Sequence, residues 1–287
     1  MPTSHVSRSN QDGGAITHLR EISAARDLWT HLTLRELRGK YKRSVLGWAW
    51  SLLNPIAMML VYTLVFRYLL KIQVTPGDPS GLDVFPLFLL CGLLPWNYLS
   101  NSMFGGMGGL VGNANLVKKV YFPREILVGS NVASWTFSLG IELGVLILAL
   151  LVAGNMVLPW ILPLLVLVAL QTAFVLGVAL ALSVLNVYFR DVQHLLGIFM
   201  QLWFYATPII YPISLVAEAD ARNSLPLLRI YRLNPMARFV EAYRDVLYDL
   251  RFPPAEDLLF LGVISAIVLV VGYAIFYRLE PRLAEEL

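Results

Sequence analysis

Two short polar stretches of this chain carry nearly the same phrase. They are Val120-Tyr121-Phe122-Pro123-Arg124-Glu125 and Val187-Tyr188-Phe189-Arg190-Asp191, each set between long hydrophobic runs. An aromatic pair followed by an Arg-acid pair has the chemistry of an interface hot spot: rings seat in a pocket while the charges fix orientation. Interfacial tyrosine and arginine at a lipid boundary look similar one loop at a time. Recurrence of the phrase, with Lys118 and Lys119 beside its first copy, favours two handles for a soluble partner. Covalent chemistry has no comparable foothold. The glycine-rich tract Gly105, Gly106, Gly108, Gly109, Gly112 lacks the Lys-Ser/Thr and the preceding strand of a phosphate loop, so it reads as a flexible or closely packed helix end. His5, His18, His31 and His194 have no zinc-ligand spacing, Cys91 sits in an apolar run, and no nucleophile elbow or serine-lysine constellation appears. The chain is expected to hold no metal or cofactor and to be no enzyme.

The elements that position these loops follow from composition. Hydrophobic residues make up 57% of the 287, and charged residues 14%, against about 25% in soluble domains. An all-α integral membrane protein is predicted. A span needs about 20 apolar residues, and six stretches approach that: Trp48 to Leu70, Phe85 to Phe104, Ile126 to Val152, Trp160 to Asn186, Leu195 to Ile210 and Leu258 to Tyr277. The fifth is shortest and is interrupted by Pro208 and Pro212. Of the 22 Lys and Arg residues, 14 fall on the amino-terminal side of these spans, which the positive-inside tendency makes cytosolic. Both termini are expected there, in a multi-pass plasma-membrane protein with no removable signal peptide.

Three further features frame the spans. Residues 1–27 are polar, Ser/Asn/Gly-rich, and carry no assigned function. From Leu34 the apolar positions Leu34, Leu37, Tyr41, Val45 and Trp48 form one narrow helical stripe. Arg35, Arg38, Lys40, Lys42 and Arg43 surround it, which predicts an amphipathic helix over 28–47 lying in the headgroup layer, with its cations toward anionic lipids or an anionic substrate. Between spans five and six, residues 211–255 read as an outer segment that lies flat or dips inward as a re-entrant hairpin. Asn234-Pro235 caps a helix there, and Met236, Phe239, Val240 and Tyr243 recur at helical spacing, with Arg238, Glu241, Arg244 and Asp245 on other faces. Together with Tyr211 they could gate an exit path. Glu142 is the acidic residue well inside a span and must face protein or water; it is either a bond to a neighbouring helix or part of a path. Aromatics such as Trp96 and Tyr98 are packing or belt residues first, with a minority offering flat faces to sugar rings.

Assembled in order, these segments resemble the permease subunit of ABC-2 polysaccharide exporters, the family that moves O-antigen, teichoic acid and galactan. The likeness is carried by Leu34 through Gly47 (LRELRGKYKRSVLG), Leu52-Leu53-Asn54-Pro55, Tyr121 to Glu125, Asn186 to Val192, Pro208-Ile209-Ile210-Tyr211-Pro212 and Asn234-Pro235-Met236. The resemblance implies six transmembrane helices over 48–287, a second copy of the chain, and two separate ATPase subunits that bind ATP and Mg. Lys118, Lys119, Tyr121, Phe122, Pro123, Arg124, Glu125, Tyr188, Phe189, Arg190 and Asp191 would then couple to those subunits. Arg35, Arg38, Lys40, Lys42 and Arg43 would attract a lipid-linked glycan at the cytosolic face, and Glu142, Trp96, Tyr98, Tyr211, Met236, Phe239 and Tyr243 would line its channel or gate. No nucleic-acid partner is expected. A small-molecule exporter of the same fold and a membrane-embedded glycosyl or phosphoglycosyl transferase are the alternatives.

Overall fold

The computed structural model describes residues 26–41, 49–71, 75–120, 122–222 and 226–286. Among them every regular element is helical. In chain order these are α1 (Arg26–Tyr41), α2 (Ala49–Tyr62) continued by a π-helical stretch (Thr63–Leu69), α3 (Phe85–Gly108), α4 (Ala114–Lys119), α5 (Glu125–Val152), α6 (Ile161–Tyr188) and α7 (Val192–Tyr205). The outer segment holds α8 (Ile213–Arg222), α9 (Leu227–Leu233) and α10 (Pro235–Arg244), the last running into a π-helical stretch (Asp245–Asp249). The long α11 (Ala255–Leu279) and the short α12 (Leu283–Glu286) complete the chain.

Among the described residues, four helical stretches are long and apolar enough to cross a bilayer: Leu52–Leu69, Glu125–Val152, Leu158–Tyr188 and Ala255–Leu279. Their outward residues, among them Leu148, Leu162, Leu259 and Val270, are exposed, the face expected toward lipid or another subunit. α3 has the length but packs its apolar residues inward: Leu89, Cys91 and Leu99 are wholly excluded from solvent. It is the hub, flanked by α5, α6 and α10. The segment expected from Leu195 to Ile210 forms only α7, because the helix ends at Tyr205 ahead of Pro208.

Glycine decides the closest approach in the bundle. α6 and α11 cross where Gly177 meets Gly272, so near that a Cβ on either would run into the backbone of the other helix. The glycine-rich end of α3 divides in two: a Cβ on Gly105 or Gly106 would strike Asn131 or Ala179, whereas Gly108 and Gly112 face open space.

Two elements differ from the expectation drawn above. α1 spans 26–41 and buries Leu32 and Leu37, leaving Leu34 exposed. Trp29 lies against Gly129, and Lys40 against Trp135 and Ser138, so α1 climbs alongside α5 in the same direction. Part of its polar circumference therefore faces protein in place of headgroups. Lys42, Arg43, Val45 and Trp48, like residues 1–25, lie outside the described residues. The second difference is α10 and the π-helical stretch it runs into, where Arg244 and Asp245 are buried with the apolar positions. α10 is inserted against α3, α6 and α11.

Candidate functional site

The two echoed loops converge. The Arg124 Nη1 donates to the Glu280 carbonyl at 2.6 Å, and the Tyr188 hydroxyl donates to the Leu279 carbonyl at 3.1 Å. Both bonds end on the carboxyl terminus of α11, where helix carbonyls lack intrahelical partners and attract cations and donors. Glu125 is the buried first residue of α5, and Phe122 packs partly against the core. What remains outward is Lys118, Lys119, Phe189, Arg190 and Asp191, with Phe189 64% exposed. An aromatic ring left that free beside two opposite charges is an available anchor. Arg124 and Tyr188, by contrast, are committed to the chain's own backbone. Tyr121 lies outside the described residues.

The basic side chains assigned to substrate access separate. Arg35 donates to Glu36 and, at 2.7 Å, to Asn113, spanning a groove of about 410 Å³ between α1 and the open glycines of α3. Arg38 is exposed. Lys40 turns inward: its Nζ lies 3.2 Å from the Trp135 ring centroid and 3.5 Å from Ser138 Oγ. Burial draws the Lys40 ammonium down to about 7 against the upward pull of Glu36 and Glu142. Glu142 and Lys40, far apart in sequence, thus line one pocket with Trp50, Asn97, Asn101 and Trp135.

Most residues expected to line a channel are packed inside the protomer. Trp96 meets Trp203 and Phe204 edge-on. The Tyr98 hydroxyl joins Thr136 and Thr172, tying α3 to α5 and α6. Met236, Phe239 and Tyr243 are fully buried. Tyr211 bonds Tyr231 and the Tyr205 carbonyl, closing the outer segment on itself.

Several organising residues escaped the sequence reading. Buried Gln171 accepts from the Tyr243 hydroxyl and donates to the Pro95 carbonyl, linking three helices. Arg244 stacks on Phe88 and donates to the Pro208 and Ile209 carbonyls and to Glu241. It holds the turn after α7 against α10. A lone Gln in an apolar run is the one local signal that could have been followed, since a polar group there must find partners; Arg244 offered none, because surface helices carry arginines at the same spacing.

Residues 27–248 match the ABC-2 type transporter family. The O-antigen export system permease protein RfbA of Myxococcus xanthus is 32% identical over 94% of this chain and 98% of its own length. A Klebsiella pneumoniae protein of the same name is 30% identical over 90% and 94%. The polysialic acid transport protein KpsM of Escherichia coli is 22% identical over 88% and 93%. With the family match covering most of a helical bundle that has several membrane-length helices, this chain belongs to the ABC-2 type transporter family and is a multi-pass membrane permease.

Proposed function

We propose that this chain is the transmembrane subunit of an ATP-driven exporter that carries a polyprenyl diphosphate-linked polysaccharide from the cytosolic to the outer face of the bacterial plasma membrane. The observation that carries the reading is the meeting of both Arg-acid loops at the end of α11, with Phe189, Arg190 and Asp191 left exposed. Relatives named for O-antigen export and for polysialic acid transport support the cargo class.

In this proposal two copies enclose the path and two ATPase subunits dock on the loops. α3 and α7 complete six spans, the segment around α10 is a re-entrant outer hairpin, and both termini are cytosolic. ATP-driven closure pushes the loops. Because Arg124 and Tyr188 both hold the end of α11, a push on either is delivered to that helix, and the glycine crossing passes it to α6. Export then follows from different affinities for cargo in the two bundle states.

Depletion of this chain in its native host tests the reading. Lipid-linked glycan is expected to accumulate on the cytosolic side while surface glycan falls. Unchanged surface glycan would refute the exporter assignment, and retained drug or small-molecule substrates with normal glycan would move the cargo to the alternative class.

A further inference from the structure

The pocket shared by Lys40 and Glu142 is a cavity of about 280 Å³ walled by α1, α2, α3 and α5, near the small end of known ligand sites. Its lining is chemically mixed in a particular way. Asn97 and Asn101 stand one helical turn apart on α3, Trp50 contributes a half-exposed indole from α2, and Trp135 contributes a second whose face is covered by the Lys40 ammonium. Glu142 is 9% exposed, and no hydrogen bond to its carboxylate, or from the Asn97 or Asn101 side chains, is made among the described residues. The Glu142 carboxylate oxygens open onto the pocket, where they can accept hydrogen bonds from a group that enters it.

We infer that this pocket binds a hexopyranose unit of the exported glycan. The inference rests on the cargo reading above and adds the place of contact. Each amide offers two donors and an acceptor, the carboxylate accepts hydroxyl protons, and the ammonium donates. That is the complement of a ring bearing hydroxyls at its edge, while the apolar C–H face of the ring lies on the free indole of Trp50. The diphosphate of a lipid carrier is a poorer fit: among the residues lining the pocket Lys40 is the cation, and Glu142 offsets it. Recognition of one ring at a time suits a repeating polymer, because each advance presents the same groups to the same pocket.

The test uses the full chain in nanodiscs and isothermal titration calorimetry. The probe is the water-soluble glycan that mild acid releases from the lipid-linked material accumulating on depletion, with inorganic pyrophosphate as the second arm. Saturable binding of the glycan is expected. It should weaken at least about tenfold in Asn97→Ala/Asn101→Ala, where two hydrogen-bonding groups are lost, and in Trp50→Ala, an exposed position whose loss leaves folding intact. Pyrophosphate should neither bind nor compete. Unchanged titrations in both variants, no saturable binding by the unmodified chain, or displacement by pyrophosphate would overturn the assignment. If no glycan accumulates on depletion, the exporter reading falls first and the pocket assignment with it; accumulation without binding leaves the exporter standing and removes only the pocket.

Discussion

Lys40 and Glu142 show what one pair of side chains decides. Their charges face each other from α1 and α5, with Glu36 on α1 as the other acid acting on Lys40. In the unfolded chain Lys40 stays protonated up to about 10.5, but folded only to about 7. Between these values the unfolded state binds more protons, so stability rises with pH across that window. Thermal unfolding followed from pH 7 to 9.5 should show that rise, and Lys40→Met should flatten it. Lys40→Met alone leaves a buried carboxylate without its cation, so it should unfold at a lower temperature than Lys40→Met/Glu142→Gln. Arg124 and Arg190 divide in the same spirit. Arg190→Ala, at an exposed position, is expected to leave unfolding within about 0.5 kcal/mol while abolishing co-purification of the proposed ATPase subunits. Arg124→Ala should instead destabilise the chain, since it removes a charge-assisted bond to Glu280 that the fold itself uses.

At the scale of elements, the α6–α11 crossing and the seating of α10 set the architecture. Gly272→Ala puts a methyl group onto the Gly177 carbonyl, and backbone cannot swing aside as a long side chain can. The expected cost is at least about 1–3 kcal/mol, read as a lower unfolding temperature, with export falling alongside it if this crossing transmits motion. Asn234 holds α10 in place by four bonds: its Oδ1 accepts from Met236 N at 3.0 Å and from Trp203 Nε1 at 2.9 Å. Its Nδ2 donates to the Ala206 carbonyl and to Thr207 Oγ1, each at 3.1 Å. Asn234→Ala should therefore exceed the roughly 1 kcal/mol of an ordinary cap, measured as loss of stability in the purified chain. The cap itself was legible from Asn234-Pro235. The bonds to α7 were not, because they join residues brought together only when the outer segment folds back.

Over the whole molecule, the proposed function makes this chain a passive carrier of force. Purified protein in vesicles should translocate no lipid-linked glycan without its ATPase, whatever the cargo gradient, and a fluorescent-lectin assay of the outer leaflet would check it. Composition and run length were enough to declare a helical membrane protein, and the repeated aromatic and Arg-acid phrase was enough to mark two loops as a pair. These are local properties, written in consecutive residues, and they survive without knowledge of neighbours. Which face each helix buries is not local: α1 stands against α5 in place of lying flat, Arg244 is enclosed where periodicity put it outside, and Gln171, Tyr243 and Pro95 form one chain of bonds. The joining of Arg124 and Tyr188 at the end of α11, and of Lys40 with Glu142, likewise depends on packing between distant segments, where burial of apolar area and satisfaction of buried polar groups are settled together.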